Sequence, residues 1–241
     1  MCFHNAMSKK ALEAKNRFHA PQTQESLFEP IFHASAFSFP AWPIITREHT
    51  EKIELSNWGL IPQWIKTKTE AAKFRMNTFN AVGETAFEKP SFRHAIRYNR
   101  CLVLSTGFFE WRDYNKEKFP YFISLKSNEM FAMAGIYEQW PDRETGELFH
   151  TFSILTTSAN SLMAQIHNLK QRMPVILTPG REKDWLFAQD EAQINSFLQP
   201  YPAEAMQAHT ISKLITSRKE PSNVKEVQDF YEYPALPPIT L

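Results

Sequence analysis

The sequence predicts an α+β protein, a single domain with a β-rich, mostly antiparallel core and peripheral helices. Three observations carry that expectation. Between Cys101 and Thr156 short apolar runs alternate with polar turns, the pattern of successive antiparallel strands. Helical patterns fall outside this block, near the N-terminus and after residue 158. No internal repeat occurs, and no linker is long enough to divide the 241 residues.

Taken in order, residues 8–18 read as a first helix with Ser8 as N-cap, ended by Pro21. Pro43-Ile44-Ile45-Thr46 reads as a short strand, and Lys52 to Leu60 as a second with one buried face. Gly59-Leu60-Ile61-Pro62 turns the chain. Residues 64–80 interleave Lys66, Lys68, Lys73 and Arg75 with Trp64, Phe74 and Phe79. A solvated loop with core anchors explains that composition, and so does a platform for single-stranded nucleic acid. Asn80 to Ala86 is expected to open a helix. The first half of Cys101 to Arg112 reads as a buried strand, and Gly107 marks either a bulge or a close backbone approach. Hairpin turns at 113–116, 127–128 and 141–147 then lead into strands at Phe119–Leu125, Phe131–Tyr137 and Phe149–Thr156. Residues 158–161 cap a short helix through Ile166, and Arg172 to Leu177 returns as a strand. Helices around Asp184–Phe187 and Glu191–Leu198 follow. Residues 1–226 are expected to form the domain, and 227–241 a proline-rich tail with no core role.

Composition narrows the classes of function. A formal net charge of +1 creates no global field for a polyanion, so any nucleic-acid site must be a local basic patch. No apolar run approaches the roughly 20 residues of a membrane span. The two cysteines, with no leader before Cys2, suggest a reducing cytoplasm rather than a secreted chain. There is no Gly-x-Ser-x-Gly elbow, phosphate-cradling loop, dinucleotide fingerprint or Cys-x-x-Cys pair, and the histidines lack metal-ligand spacing. We therefore expect no cofactor and no metal.

Four residues remain with chemistry to offer. If Met1 is removed, Cys2 presents an α-amine of pKa ~8 and a thiol of ~8.5 on adjacent carbons, a pair able to close a five-membered ring on an aldehyde. Cys2 on a disordered tip would do nothing. Glu110 lies between Phe109 and Trp111, where burial would raise its pKa toward neutrality and suit it to proton transfer; a surface carboxylate after a strand is the plainer alternative. Asn80 is either a helix cap or an amide that orients a reacting group. His167 is either structural or an acid-base group. Spacing alone does not show that these four meet.

Together, Met1-Cys2, Asn80-Ala81 with Glu84-Thr85, Gly107-Phe108-Phe109-Glu110-Trp111, and Ile166-His167 with Arg172-Met173-Pro174-Val175-Ile176-Leu177 resemble the SRAP (SOS response-associated peptidase) family, whose members act on abasic sites in single-stranded DNA. Trp58-Gly59-Leu60-Ile61-Pro62 resembles that family's Trp-Gly-x-x-Pro turn. The resemblance implies a barrel-like core with a basic groove, no cofactor, and a monomer in the cytoplasm that joins the nucleoid when DNA is damaged. It implies that Cys2 bonds to the abasic aldehyde, that Asn80 contacts the terminus and the opened sugar, and that Glu110 and His167 are the acid-base pair. Trp58, Trp64, Lys73, Arg75, Trp111 and Arg172 would contact the strand. Phe3-His4 stands where the family usually has Gly-Arg, Val82 where an Arg often follows Asn-Ala, and residues 33–37 replace an Asn-x-x-Pro loop. Two readings compete with covalent cross-linking: a cysteine peptidase or autoprotease using Cys2 and His167, and a non-catalytic DNA-binding module.

Overall fold

The structure, a computed structural model, describes residues 2–239. Its strands in chain order are β1 (His4–Met7), β2 (Ile31–Ser35), β3 (Ala41–Thr46), β4 (Glu54–Trp58), β5 (Asn80–Val82), β6 (Arg100–Ser105), β7 (Gly107–Tyr114), β8 (Glu117–Leu125), β9 (Phe131–Pro141), β10 (Leu148–Ser158), β11 (Arg172–Pro174) and β12 (Met206–Thr210). The α-helices are α1 (Ala11–Arg17), α2 (Lys68–Arg75), α3 (Ala95–Tyr98), α4 (Ser161–Ile166), α5 (Glu182–Phe187) and α6 (Glu191–Phe197). The α+β class and the mostly antiparallel core are as the sequence leads one to expect.

Strand β10 closes the barrel. One of its edges runs antiparallel along β9, and the other pairs parallel with β4 at Thr151↔Asn57 and Phe152↔Trp58. With β3, β6 and β9 this completes a ring of five strands that leaves no unpaired edge around its waist. Gly135 on β9 is required by this closure: a Cβ there would sit 2.6 Å from Val103 Cγ2 and 2.7 Å from Cys101 Sγ. A second, antiparallel sheet in the order β2-β1-β7-β8-β12 packs beside the barrel.

The stretch from Cys101 to Arg112 is therefore two strands in two sheets, not one bulged strand. The break at Thr106 has a local cause. Ser105 Oγ donates to Asn5 Oδ1 at 2.7 Å and accepts from Gly107 N at 3.2 Å, drawing the chain onto β1, and a Cβ at Gly107 would run into the Phe122 ring. The turn at Ser127-Asn128 likewise carries the chain from the second sheet back to the barrel, so β8 and β9 are not a hairpin.

Other expectations are corrected by side-chain competition. Residues 68–75 form α2, capped by Thr67 Oγ1, which accepts from Glu70 N at 3.2 Å. Asn80 opens no helix; β5 pairs parallel with β10 at Ile154↔Asn80 before a single 3-10 turn. Helix α1 begins at Ala11, and Ser8 instead exchanges hydrogen bonds with Thr106 and Gln228. The segment expected to be an idle tail is packed down. Val227 is buried with Ile211 and Ile215, Gln228 Nε2 donates to Phe32 O at 2.8 Å, and Arg112 Nη1 donates to Pro237 O at 2.6 Å.

Candidate active site

The N-terminal strand sets up the site. β1 lies between β2 and β7 with His4 opposite Phe109, so the chain start arrives beside Glu110. Cys2 is fully buried, its Sγ 3.5 Å from His4 O. From the barrel side, Asn80 Nδ2 donates to the Cys2 carbonyl at 2.8 Å. Asn80 Oδ1 is buried and meets no donor among the described residues, so it points an acceptor into the same corner. His167 follows α4, and its Nδ1 lies 2.8 Å from Arg172 O. Because a carbonyl only accepts, Nδ1 carries the proton and the lone pair is on Nε2 when the ring is neutral. Glu110, His167, Trp111, Phe3 and His4 line one cleft of about 390 Å³. Asn80 thus bonds to Cys2, the Glu110 carboxyl is near enough to act on the Cys2 thiol through its charge, and Glu110 and His167 line the same cleft.

Burial tunes these groups. It raises the Glu110 carboxyl to about 7, so both protonation states are populated near neutral pH. Burial, and then the neighbouring Glu110 charge, push the Cys2 thiol well above its ordinary value. The thiol is therefore held as S–H. His167 is lowered by burial, so it is mainly neutral at pH 7.

The residues expected to contact DNA separate into four groups. Trp64 is 52% exposed and, with Lys73, Lys66, Phe74 and Asn77, lines a cleft of about 560 Å³. Trp111 lines the Glu110–His167 cleft and packs edge-on against His4 at 4.7 Å. Trp58 does not belong to the surface. It is fully buried, stacks on Phe152 at 5.9 Å and donates Nε1–H to Phe79 O at 2.8 Å, so no base can reach its face. Arg75 and Arg172 are already engaged. Arg75 donates to Gly59 O and Trp58 O and lies over Phe39, while Arg172 makes a two-pronged pair with Glu84 at 2.7 Å and a bond to Thr156 O.

Sequence reasoning missed Lys118 and Lys170, which reach the cleft rim from the β7–β8 hairpin and the loop after His167. No local pattern marks them. His4 is part of a further arrangement, with its Nδ1 2.8 Å from His33 Nε2 and His33 Nδ1 2.7 Å from Ser222 Oγ. Burial lowers His4 to about 3, with His33 adding to the effect, and lowers His33 to about 4, so both rings are neutral. Among the described residues no group of three or more His, Cys, Asp or Glu is placed to hold a metal, and no helix is long and apolar enough to cross a membrane.

Comparison with known proteins bears on this site. The model of the family described as SOS response associated peptidase (SRAP) matches residues 1–218. The abasic site processing protein YoqW of Bacillus subtilis is 41% identical over 182 residues, 74% of this chain and 78% of that protein. YoaM of the same organism, also named an abasic site processing protein, is 38% identical over 182 residues, 74% of this chain and 77% of its own. A crystal structure of a Bacteroides thetaiotaomicron protein superposes with a TM-score of 0.90 at 42% identity, covering 96% of this chain and all of that one.

Proposed function

The chain belongs to the SOS response associated peptidase (SRAP) family, and from that premise we propose that it processes abasic sites in single-stranded DNA by forming a thiazolidine between Cys2 and the sugar aldehyde. The observation that carries the proposal is Cys2, held by Asn80 and near the Glu110 carboxyl of pKa about 7, which shares a cleft with His167. Met1 lies outside the described residues. Its removal is required, because an acylated nitrogen cannot form an imine.

The abasic sugar opens to its aldehyde when the C1′ hydroxyl loses a proton and the ring oxygen gains one. His167 Nε2 suits the first transfer and protonated Glu110 the second. The Cys2 amine then attacks C1′ and passes a proton to the carboxylate that ring opening left on Glu110, while His167 returns its proton to the C1′ oxygen; the re-formed Glu110–H protonates the departing hydroxyl as the carbinolamine loses water to give the imine. Finally the thiol adds across the C=N bond, sulfur to carbon and proton to nitrogen, and closes the five-membered ring. A thiol kept as S–H fits this last step, with the Glu110 carboxylate next to it as proton acceptor. The peptidase reading needs a thiolate, which burial of Cys2 disfavours. The strand is held by the Trp64–Lys73 cleft, by Trp111, and by Lys118 and Lys170 at the rim. A reducing cytoplasm, where the thiol stays free, suits the chemistry.

Intact-mass analysis after incubation with an abasic oligonucleotide tests the proposal. One adduct per chain is expected with abasic DNA and none with the intact strand. Equal behaviour of both strands would overturn it.

A further inference from the structure

An abasic residue has no base, so its own position in the strand offers nothing to stack against. Recognition must draw on the nucleotides that adjoin it. Next to Cys2 the structure holds an aromatic cluster made by residues distant in sequence. The Phe3 and Phe37 ring centroids are 5.4 Å apart, Phe37 and Phe79 5.3 Å, and Phe3 and Phe79 6.1 Å. Phe39 adds a fourth ring 5.5 Å from Phe79, with the Arg75 guanidinium 4.2 Å above it. Phe79 is buried and Phe3 and Phe39 are half-buried, but Phe37 is 51% exposed.

The local backbone is committed to that exposure. Phe37 sits in the 3-10 turn Ala36–Ser38, and Phe39 ends the turn at φ 51 and ψ 48. A bulky residue in the left-handed region is strained, and strain of this kind persists where surrounding structure enforces it. Here the Arg75 guanidinium and the Phe79 ring pin Phe39 while the turn tip carries Phe37 outward. Phe3 makes the cluster continuous with the catalytic cleft, because it packs on Phe37 and also lines the cavity with Glu110 and His167.

We propose that Phe37, backed by Phe3, is a stacking platform for the base of a nucleotide adjoining the abasic residue. The proposal rests on the abasic-site reading above and adds a specificity element to it. Stacking is tolerant of base identity, since every base has a π face, and purines offer the larger one. The cationic Arg75 beside Phe39 adds favourable charge for the strand that carries the base.

The test uses single strands in which the abasic residue is flanked on each side by adenine or by a baseless spacer. Affinity is measured with a non-reactive abasic analogue, and adduct formation with the natural site under subsaturating single turnover. In the wild type, removing the adenine on one side should weaken binding and slow adduct formation by about 5- to 100-fold. In Phe37→Ala that ratio should fall close to one, and in Phe37→Trp it should be kept. Because Phe37 is at an exposed turn tip, a melting curve serves to show that both variants are folded. A wild type indifferent to both flanking bases, or a Phe37→Ala protein with an undiminished ratio, would overturn the platform. Absence of any adduct with the natural site would instead count against the cross-linking reading, and the affinity ratios would still decide the platform.

Discussion

Asn80 and Cys2, 78 residues apart in the chain, are joined by a hydrogen bond of 2.8 Å from the side-chain amide to the Cys2 carbonyl. The bond ties the end of the second sheet to β5 beside the barrel, so it fixes Cys2 relative to both sheets of the fold. Asn80→Ala leaves a buried carbonyl unsatisfied, which costs about 1–3 kcal/mol. If the bond also positions the reacting terminus, cross-linking per folded molecule should slow by about 10²-fold. A variant with the lowered melting temperature and an unchanged single-turnover rate would leave Asn80 a structural residue only.

Arg172 lies at the site with its charge already matched. Both of its terminal nitrogens bond Glu84, and this holds the Glu84 carboxyl below the usual range. Glu84→Gln should release that charge to a phosphate. Binding to single-stranded DNA should then strengthen at low salt, and the log-log salt slope should steepen by about 0.7. The stability loss should stay within about 1 kcal/mol, because Glu84 is substantially exposed. An unchanged slope would mean that Arg172 holds the β10–β11 corner and makes no phosphate contact.

Arg100 has no carboxylate partner among the described residues, yet it is fully buried on β6. Its guanidinium donates to Ile96 O and Arg97 O near the end of α3, and to Trp185 O, Leu186 O and Ala188 O around the end of α5. One side chain thus satisfies the exposed carbonyls of two helix ends, where a cation is also favoured by the helix dipoles. Arg100→Met should cost at least about 3 kcal/mol in urea unfolding, since several buried carbonyls lose their donors at once. Adduct formation by the folded fraction should be unaffected, because α3 and α5 contribute nothing to the cleft.

The antiparallel block from Phe119 to Thr156 was legible because each strand carries its own apolar pattern and its own polar turn. What the pattern could not convey was partner choice. β10 pairs with β4 and β5, which precede it by some 70 to 100 residues, and only that parallel pairing closes the barrel. Asn80 was placed at a helix start because an Asn before small residues resembles a cap; the β10 edge overrode that preference. The resemblance implies a strand contact for Trp58, but an indole with a backbone carbonyl for its N–H packs well in a core. The candidate set of Cys2, Asn80, Glu110 and His167 is visible only through the resemblance of whole segments to a family, since four residues spread over 166 positions have no common period. Phe37 left no signal beyond an aromatic in a loop, and its meaning comes from the rings that tertiary structure places under it.

Glu110 allows a prediction in which stability and rate respond separately. Burial raises its carboxyl from an ordinary 4.5 to about 7 in the folded protein. Between those two values the folded chain holds a proton that the unfolded chain has released. Stability from this group is therefore fully present below pH 4.5, declines as pH rises to about 7, and is level above that, a fall of about 3 kcal/mol in all. Glu110→Gln resembles the protonated carboxyl at every pH. It should abolish the decline, so the variant should be at least as stable as wild type at pH 8. Its cross-linking rate should nevertheless drop by about 10²- to 10⁴-fold, because an amide transfers no proton. If Glu110 were an ionised structural partner instead, the same substitution would destabilise the protein at pH 8 and leave the rate per folded molecule intact. Melting curves from pH 4 to 8 and single-turnover rates on one preparation distinguish the two, and a variant that loses stability while reacting at the wild-type rate removes Glu110 from the mechanism.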